Sequence, residues 1–338
     1  MSMPTSTMLL TRAMQAHCFS IEHQYSIALV TRFRPAWADT LSDETMRNMI
    51  EGAQIAVTGW GTPAFSRDLL DCAPELKLVC HSAGSIKPVL GSVADEFRRR
   101  RIRVCSAASA LAVGVAEYAF GLMLISMKAG WQYHAATHQG RWNQTEYMEW
   151  IREPFGATIG IVGASFVGRE MIRLCSSLRL KAILLYDPYV SEEEAARLGV
   201  HKADLDDLMR RSDVVSLHTP ATEETRHLLN ARNLALLKDH AILINTARGL
   251  CIDEEALAAE LKTGRILACL DVTYPKEPPA PDSPLYTLAN CILTPHIAGA
   301  LKENTYRQGE LVARQIASFV KGEALPGEID LSQLDHIA

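Results

Sequence analysis

Three ionisable side chains stand where they could do chemistry: Arg248 in Thr246-Ala247-Arg248-Gly249, Glu277 in the proline-rich stretch 275–284, and His296 in Thr294-Pro295-His296. Arg248 and His296 each follow an apolar, strand-like run, at 241–245 and 291–293. Arginine is always charged and has the planar fork to hold a carboxylate and polarise a neighbouring ketone. Histidine titrates near neutrality, so it can give a proton in one direction and take it in the other. A glutamate on the far ring nitrogen would fix the tautomer and favour the imidazolium. Together these are the groups that reduction of a 2-oxo acid by a hydride donor requires. Each also has a plainer reading: a histidine satisfied by hydrogen bonds, an arginine closing a helix end, a solvated glutamate. Convergence on one cleft favours the chemical reading, and that depends on the elements carrying the three residues.

The element that would bring a hydride donor to them is the stretch Thr158 to Arg169, TIGIVGASFVGR. An apolar run ends in Gly163, a short turn follows, and Gly168 lies at the start of a helix continuing through Met171, Ile172 and Leu174. This is the strand, turn and helix start of a dinucleotide-binding βαβ unit, in which backbone amides at the helix N-terminus meet a pyrophosphate. The middle glycine of G-x-G-x-x-G is replaced by Ser165, whose Cβ narrows the approach and whose hydroxyl could donate to the diphosphate. A second strand-like run, 182–186, ends in Asp187, 19 residues beyond Gly168. A carboxylate there accepts from the ribose hydroxyls of NAD and repels the extra phosphate of NADP.

From Thr158 on, strands and helices alternate, which predicts a parallel, doubly wound sheet. The run 213–217 delivers His218-Thr219-Pro220, the run 241–245 delivers Thr246-Ala247-Arg248, the run 266–270 delivers Asp271, and the run 291–293 delivers His296. Open α/β sheets bind ligands at this carboxyl edge. Residues 1 to about 110 read as a smaller α/β unit. Strand-like runs lie at 27–30, 55–57, 76–80 and 103–106, with a short capped helix opening at Ser42. After 76–80 comes His81-Ser82-Ala83-Gly84-Ser85, whose small residues leave amides uncovered that can hold a carboxylate; an ordinary strand-to-helix turn is the alternative. One long helix is expected from Val113 to about Gln139, a crossover over 140–154, and a final helix over 301–321.

A chain of 338 residues is long enough for two cores. A net charge of −5 gives no general reason to bind nucleic acid or an anionic membrane. The arginines at 98–101 and 103 read as the solvated end of a helix, with a polyanion patch as the alternative. The eight cysteines show no C-x-x-C and no Cys/His cluster at zinc spacing, so no metal site is expected, and scattered thiols suit a reducing compartment. With no signal-peptide pattern over Met1–Thr11, the expectation is a cytoplasmic protein. The apolar stretch 104–127 raises the question of a membrane span. Glu117 near its middle argues instead for a core strand and a buried helix.

Four segments, DVVSLHTPATEETRHLL (213–229), LINTARGLCIDEEAL (243–257), LDVTYPKEP (270–278) and LTPHIAG (293–299), resemble the D-isomer-specific 2-hydroxyacid dehydrogenases. That group includes phosphoglycerate dehydrogenases and glyoxylate/hydroxypyruvate reductases. The resemblance implies an α/β protein of two Rossmann-like lobes. A flavodoxin-like substrate-binding lobe would comprise 1–112 and 303–338, and a doubly wound NAD-binding lobe 113–302 would form a homodimer contact. It implies Arg248 for substrate, His296 as acid/base and Glu277 as its partner, and places Phe166, Val167, Asp187, Thr246, Asp271 and Gly299 where the family touches NAD. With Gly163, Ser165, Gly168, His218, Thr219, Pro220 and Ala247 these make up the expected cofactor site, and Ala83, Gly84, Arg248 and His296 the expected substrate site. Against the family spacing, Lys276 reads as one inserted residue. The substrate loop lacks the usual acid, and Lys87 just beyond it is either an extra cation for a second anionic group or a surface lysine. The expected function is NAD-dependent interconversion of a small 2-oxo acid and its D-2-hydroxy acid, with lobe closure excluding water. Two alternatives are an NAD(H)-sensing, corepressor-like binding protein and a formate- or phosphite-type dehydrogenase of the same fold.

Overall fold

The computed structural model describes residues 3–299 and 302–336. Met1, the expected helix start at Leu301 and the C-terminal Ala338 lie outside them. Contacts divide the chain into two compact units, Met1–Leu111 with Ala300–Ala338, and Ala112–Gly299.

The first unit contains strands β1 (Thr5–Met8), β2 (Arg32–Arg34), β3 (Ile55–Thr58), β4 (Leu78–His81) and β5 (Arg103–Ser106). They form one parallel sheet in the order β2-β1-β3-β4-β5, the flavodoxin-like winding. Helix Lys302–Lys321 returns to this unit, where the Gln315 amide donates to the carbonyls of Ser106 and Pro326. One expected strand of this unit needs correction. The run 27–30 is not a strand but the end of helix Ile21–Val30, because Ser20 and His23 form a reciprocal capping box and only Ile27 of that run is buried. The strand that does occupy the sheet's interior, β1, is rich in Ser and Thr and gives no apolar run. Its Ser6 hydroxyl is satisfied inside, by a 2.7 Å contact with the Thr31 hydroxyl.

The arginine cluster forms no patch. Arg98 pairs with Asp95, Arg99 with Glu96, Arg100 with Glu96 and Asp71, and Arg103 with Glu328, while Arg101 ends helix Ala94–Arg100 in a left-handed conformation. The stretch after β5 is helix Ala108–Met127, long and apolar enough to cross a membrane, with half of its most apolar window buried in the protein. The single helix expected over 113–139 is two. Ala129 takes φ +51°, and a second helix, Gly130–His138, starts there.

The second unit contains β6 (Thr158–Val162), β7 (Ala182–Tyr186), β8 (His201–Lys202), β9 (Val214–Leu217), β10 (Ile242–Asn245), β11 (Leu267–Leu270) and β12 (Cys291–Leu293). All pair in parallel in the order β12-β11-β10-β9-β6-β7-β8. β6, β9, β10 and β11 are buried along their whole length, which is why each reads as a continuous apolar run rather than an alternating one. The order reverses at β6, the topological switch point at which such sheets hold ligands.

Candidate active site

Strand register builds the site. Tyr186, Val162, Leu217, Asn245, Leu270 and Leu293 pair across neighbouring strands in one continuous row. The residue that follows each one therefore stands on the same carboxyl edge: Asp187, Gly163, His218, Thr246, Asp271 and Thr294. Six segments spread over more than a hundred residues are gathered by hydrogen-bonded registration alone.

At the switch point the backbone is drawn in too closely for side chains. Gly163 has φ +95°, and a Cβ on it would lie 2.9 Å from Thr219 Cγ2 and 3.0 Å from the His218 carbonyl. A Cβ on Gly168 would lie 2.0 Å from the Gly163 oxygen. The ten-residue helix Phe166–Cys175 is thus seated on the turn, and Ser165 caps it, its hydroxyl accepting from the Gly168 amide at 3.4 Å. The serine in place of the middle glycine serves the helix end. The first-turn amides, those of Phe166 and Val167, have no partner within their own helix. Asp187 shapes the same turn, accepting from the Ala164 amide at 2.7 Å and the Tyr189 amide at 2.8 Å. An ionised carboxylate has about four acceptor positions, so two remain for a ribose.

His218 is 3 % exposed, and among the described residues neither ring nitrogen has a hydrogen-bond partner; the Thr246 hydroxyl is buried and unpartnered likewise. Burial pushes the His218 imidazole down to about 3, so it is neutral. Unsatisfied buried polar groups cost free energy unless something meets them. Polar atoms left bare along this edge, beside a turn with no room for side chains and a capped helix N-terminus, fit a bound dinucleotide. Thr219 is committed elsewhere, its hydroxyl 3.3 Å from Cys251 Sγ, and the Pro220 carbonyl accepts from the Thr225 hydroxyl at 2.6 Å.

The chemical half of the edge lies on β10 to β12. Asn245 shapes the turn that carries Arg248: its amide oxygen accepts from Ala247 N at 3.0 Å and its Nδ2 donates to the Arg248 carbonyl at 2.9 Å. The guanidinium donates to the Ala247 carbonyl at 2.7 Å. Gly249 lies against the next loop, and a Cβ there would be 2.2 Å from the Thr273 carbonyl. In that loop the Thr273 hydroxyl donates to the Lys276 carbonyl at 2.7 Å, closing a turn ahead of Glu277. Glu277 then accepts from Thr273 N at 3.4 Å through Oε1 and meets His296 Nδ1 through Oε2 at 2.7 Å. His296 has φ +54°, a conformation costly for a non-glycine residue. Asp271 fixes it from below: the carboxylate, 1 % exposed, accepts from the Thr294 hydroxyl at 2.6 Å, Ile297 N at 2.9 Å and Ala298 N at 2.8 Å. Gly299 follows directly, partly buried.

Asp271, expected to face cofactor, is therefore at least as much the anchor of the histidine loop. Asn245, Gly249 and Thr294 were missed by reading the sequence. Only the polar residue ending each apolar run hinted at Asn245 and Thr294. Ala83 and Gly84 belong to the first unit, where the Ser106 hydroxyl donates to their carbonyls at 3.3 and 2.9 Å, and Lys87 opens the short helix Lys87–Leu90. Among the described residues no group of three or more His, Cys, Asp or Glu gathers as metal ligands, and all eight cysteines are free thiols.

Sheet order, glycine turn and bare polar edge define the second unit as a dinucleotide-binding domain of the Rossmann type. Residues 120–298 match the NAD-binding domain of the D-isomer specific 2-hydroxyacid dehydrogenases, and the chain belongs to that family. It is 32 % identical over 298 residues, 88 % of its length, to a D-3-phosphoglycerate dehydrogenase of Methanocaldococcus jannaschii, of which the match covers 55 %. It is 33 % identical over 272 residues, covering 80 % of both chains, to a glyoxylate reductase of Korarchaeum cryptofilum. The chain spans about half the length of the phosphoglycerate dehydrogenases it matches. Its fold is also that of D-mandelate dehydrogenase from Rhodotorula graminis, with a TM-score of 0.81 over 97 % of this chain and 98 % of that one at 22 % identity.

Proposed function

We propose that this protein is an NAD-dependent dehydrogenase that interconverts a small 2-oxo acid and the corresponding D-2-hydroxy acid. The observation that carries the reading is the 2.7 Å contact between His296 Nδ1 and Glu277 Oε2, on the same sheet edge as Arg248. Bound NAD supplies the hydride acceptor, and its reduced form the donor. Glu277 occupies Nδ1, which leaves Nε2 to exchange a proton with the substrate oxygen. In reduction that proton goes to the developing alkoxide; in oxidation the same nitrogen receives it from the hydroxyl. Arg248 holds the substrate carboxylate and draws charge toward the ketone oxygen. Ala83 and Gly84, with the first unit as a whole, are assigned to substrate recognition, and Asp187 to the preference for NAD over NADP.

NADH oxidation across glyoxylate, hydroxypyruvate and longer 2-oxo acids, with the handedness of the product determined, tests the reading. Turnover with at least one of them to a D-product is the expected result. NADH binding without turnover on any of them would support a sensing role instead. We further assign the protein to the cytoplasm and to a homodimer formed through the second unit, where Trp142, Met148 and Phe155 are 83, 55 and 72 % exposed. A monomeric mass in solution at micromolar concentration would contradict the homodimer.

A further inference from the structure

The edge row places one more ionisable pair beside the switch point. Tyr189 lies two residues past Asp187, in the loop after β7, and Glu224 lies in the loop after β9. These two strands flank β6 on either side. The Tyr189 hydroxyl donates to Glu224 Oε2 at 2.6 Å, so one hydrogen bond passes from loop to loop across the end of β6, where Gly163 turns. The Tyr189 amide meanwhile holds Asp187 Oδ1 at 2.8 Å. A single tyrosine therefore ties two carboxylates from opposite sides of the crevice to one another.

We infer that Glu224 is a second determinant of cofactor choice, a carboxylate held by Tyr189 where it adds to Asp187 in repelling the 2′-phosphate of NADP. This rests on the dehydrogenase reading above and extends it. Asp187 alone discriminates by exchanging hydrogen bonds with a diol for repulsion of a phosphate. Glu224 touches neither ribose hydroxyl in this account and acts only on charge. The phenol reports the same field: its ionisation is pushed up first by the bond to Glu224, with Asp187 adding to the shift. Both members of the pair are exposed, so the effect is moderate and screened by salt.

The test is direct titration of the purified protein with NADH and with NADPH, followed by quenching of its tryptophan fluorescence at low and at high ionic strength. Wild type and Glu224→Gln are compared; the amide can still accept from Tyr189, and the exposed position does not endanger folding. Glu224→Gln is expected to tighten NADPH about three- to tenfold at low salt, to change NADH by less than twofold, and to lose most of the gain at high salt. Unchanged NADPH affinity, or a parallel change for both dinucleotides, would overturn the inference while leaving the dehydrogenase reading intact. A wild-type protein that binds neither dinucleotide would overturn that reading, and the inference with it.

Discussion

Gly249 and Thr273 meet backbone to backbone, with no space for even a methyl group between the loop that carries Arg248 and the loop that leads to Glu277. This contact sets how the turn after β10 lies against the turn after β11, so the two catalytic candidates are positioned as one piece. The added methyl of Gly249→Ala would collide with main chain rather than with a side chain that could turn away. We expect about 1–3 kcal/mol of lost stability and a fall in kcat/KM of at least tenfold, read by thermal unfolding and steady-state kinetics. Wild-type values for both would show that the loops move independently.

Asp271 should behave as a structural anchor. Asn in its place keeps one acceptor but turns an NH2 group toward donors, so at least one of the Thr294, Ile297 and Ala298 donors is left buried without a partner. Asp271→Asn is expected to cost about 1–3 kcal/mol and to raise hydrogen exchange at residues 294–298. An unchanged melting temperature with a selective loss of NADH affinity would instead assign Asp271 to the cofactor alone.

Buried neutral histidines make the fold acid-sensitive. Burial lowers His218 from an ordinary 6.5 to about 3 and His81 to about 4. Below pH 6.5 the unfolded chain takes up these protons and the folded one does not, so stability falls as pH drops. The loss continues until the folded values are reached near 4 and 3. Each site steepens the dependence by up to about 1.4 kcal/mol per pH unit. Urea unfolding of His218→Gln at pH 7, 6 and 5 should show a flatter acid limb than wild type, whatever its stability at pH 7. Equal slopes would mean that His218 protonates freely in the folded state.

What could be read in advance followed burial. Parallel strands covered on both faces give unbroken apolar runs, so β6, β9, β10 and β11 are visible in the sequence; the partly buried β7 and β12 are apolar enough to show as well, and the polar residue ending each run marks the carboxyl edge. β1 was invisible because the buried Ser6 and Thr7 interrupt any apolar run, and Ser6 is satisfied by the Thr31 hydroxyl rather than by apolar packing. The run 27–30 misled because a capping box four residues earlier had already committed it to helix. Registration of the strand ends, the approach of Gly249 to Thr273 and the grip of Asp271 on the histidine loop join segments 20 or more residues apart. No local pattern encodes such meetings, although the residue types that allow them stand in plain view.

The central claim is that the imidazole held by Glu277 moves the proton. Replacing His296 by Asn keeps a polar side chain of similar reach and removes the ring nitrogen that would carry the proton. We expect the folded variant to bind NADH as wild type does and to lose about 10²- to 10⁴-fold in the rate of 2-oxo acid reduction. A His296→Asn protein that binds NADH and still turns over at a rate near wild type would contradict the account.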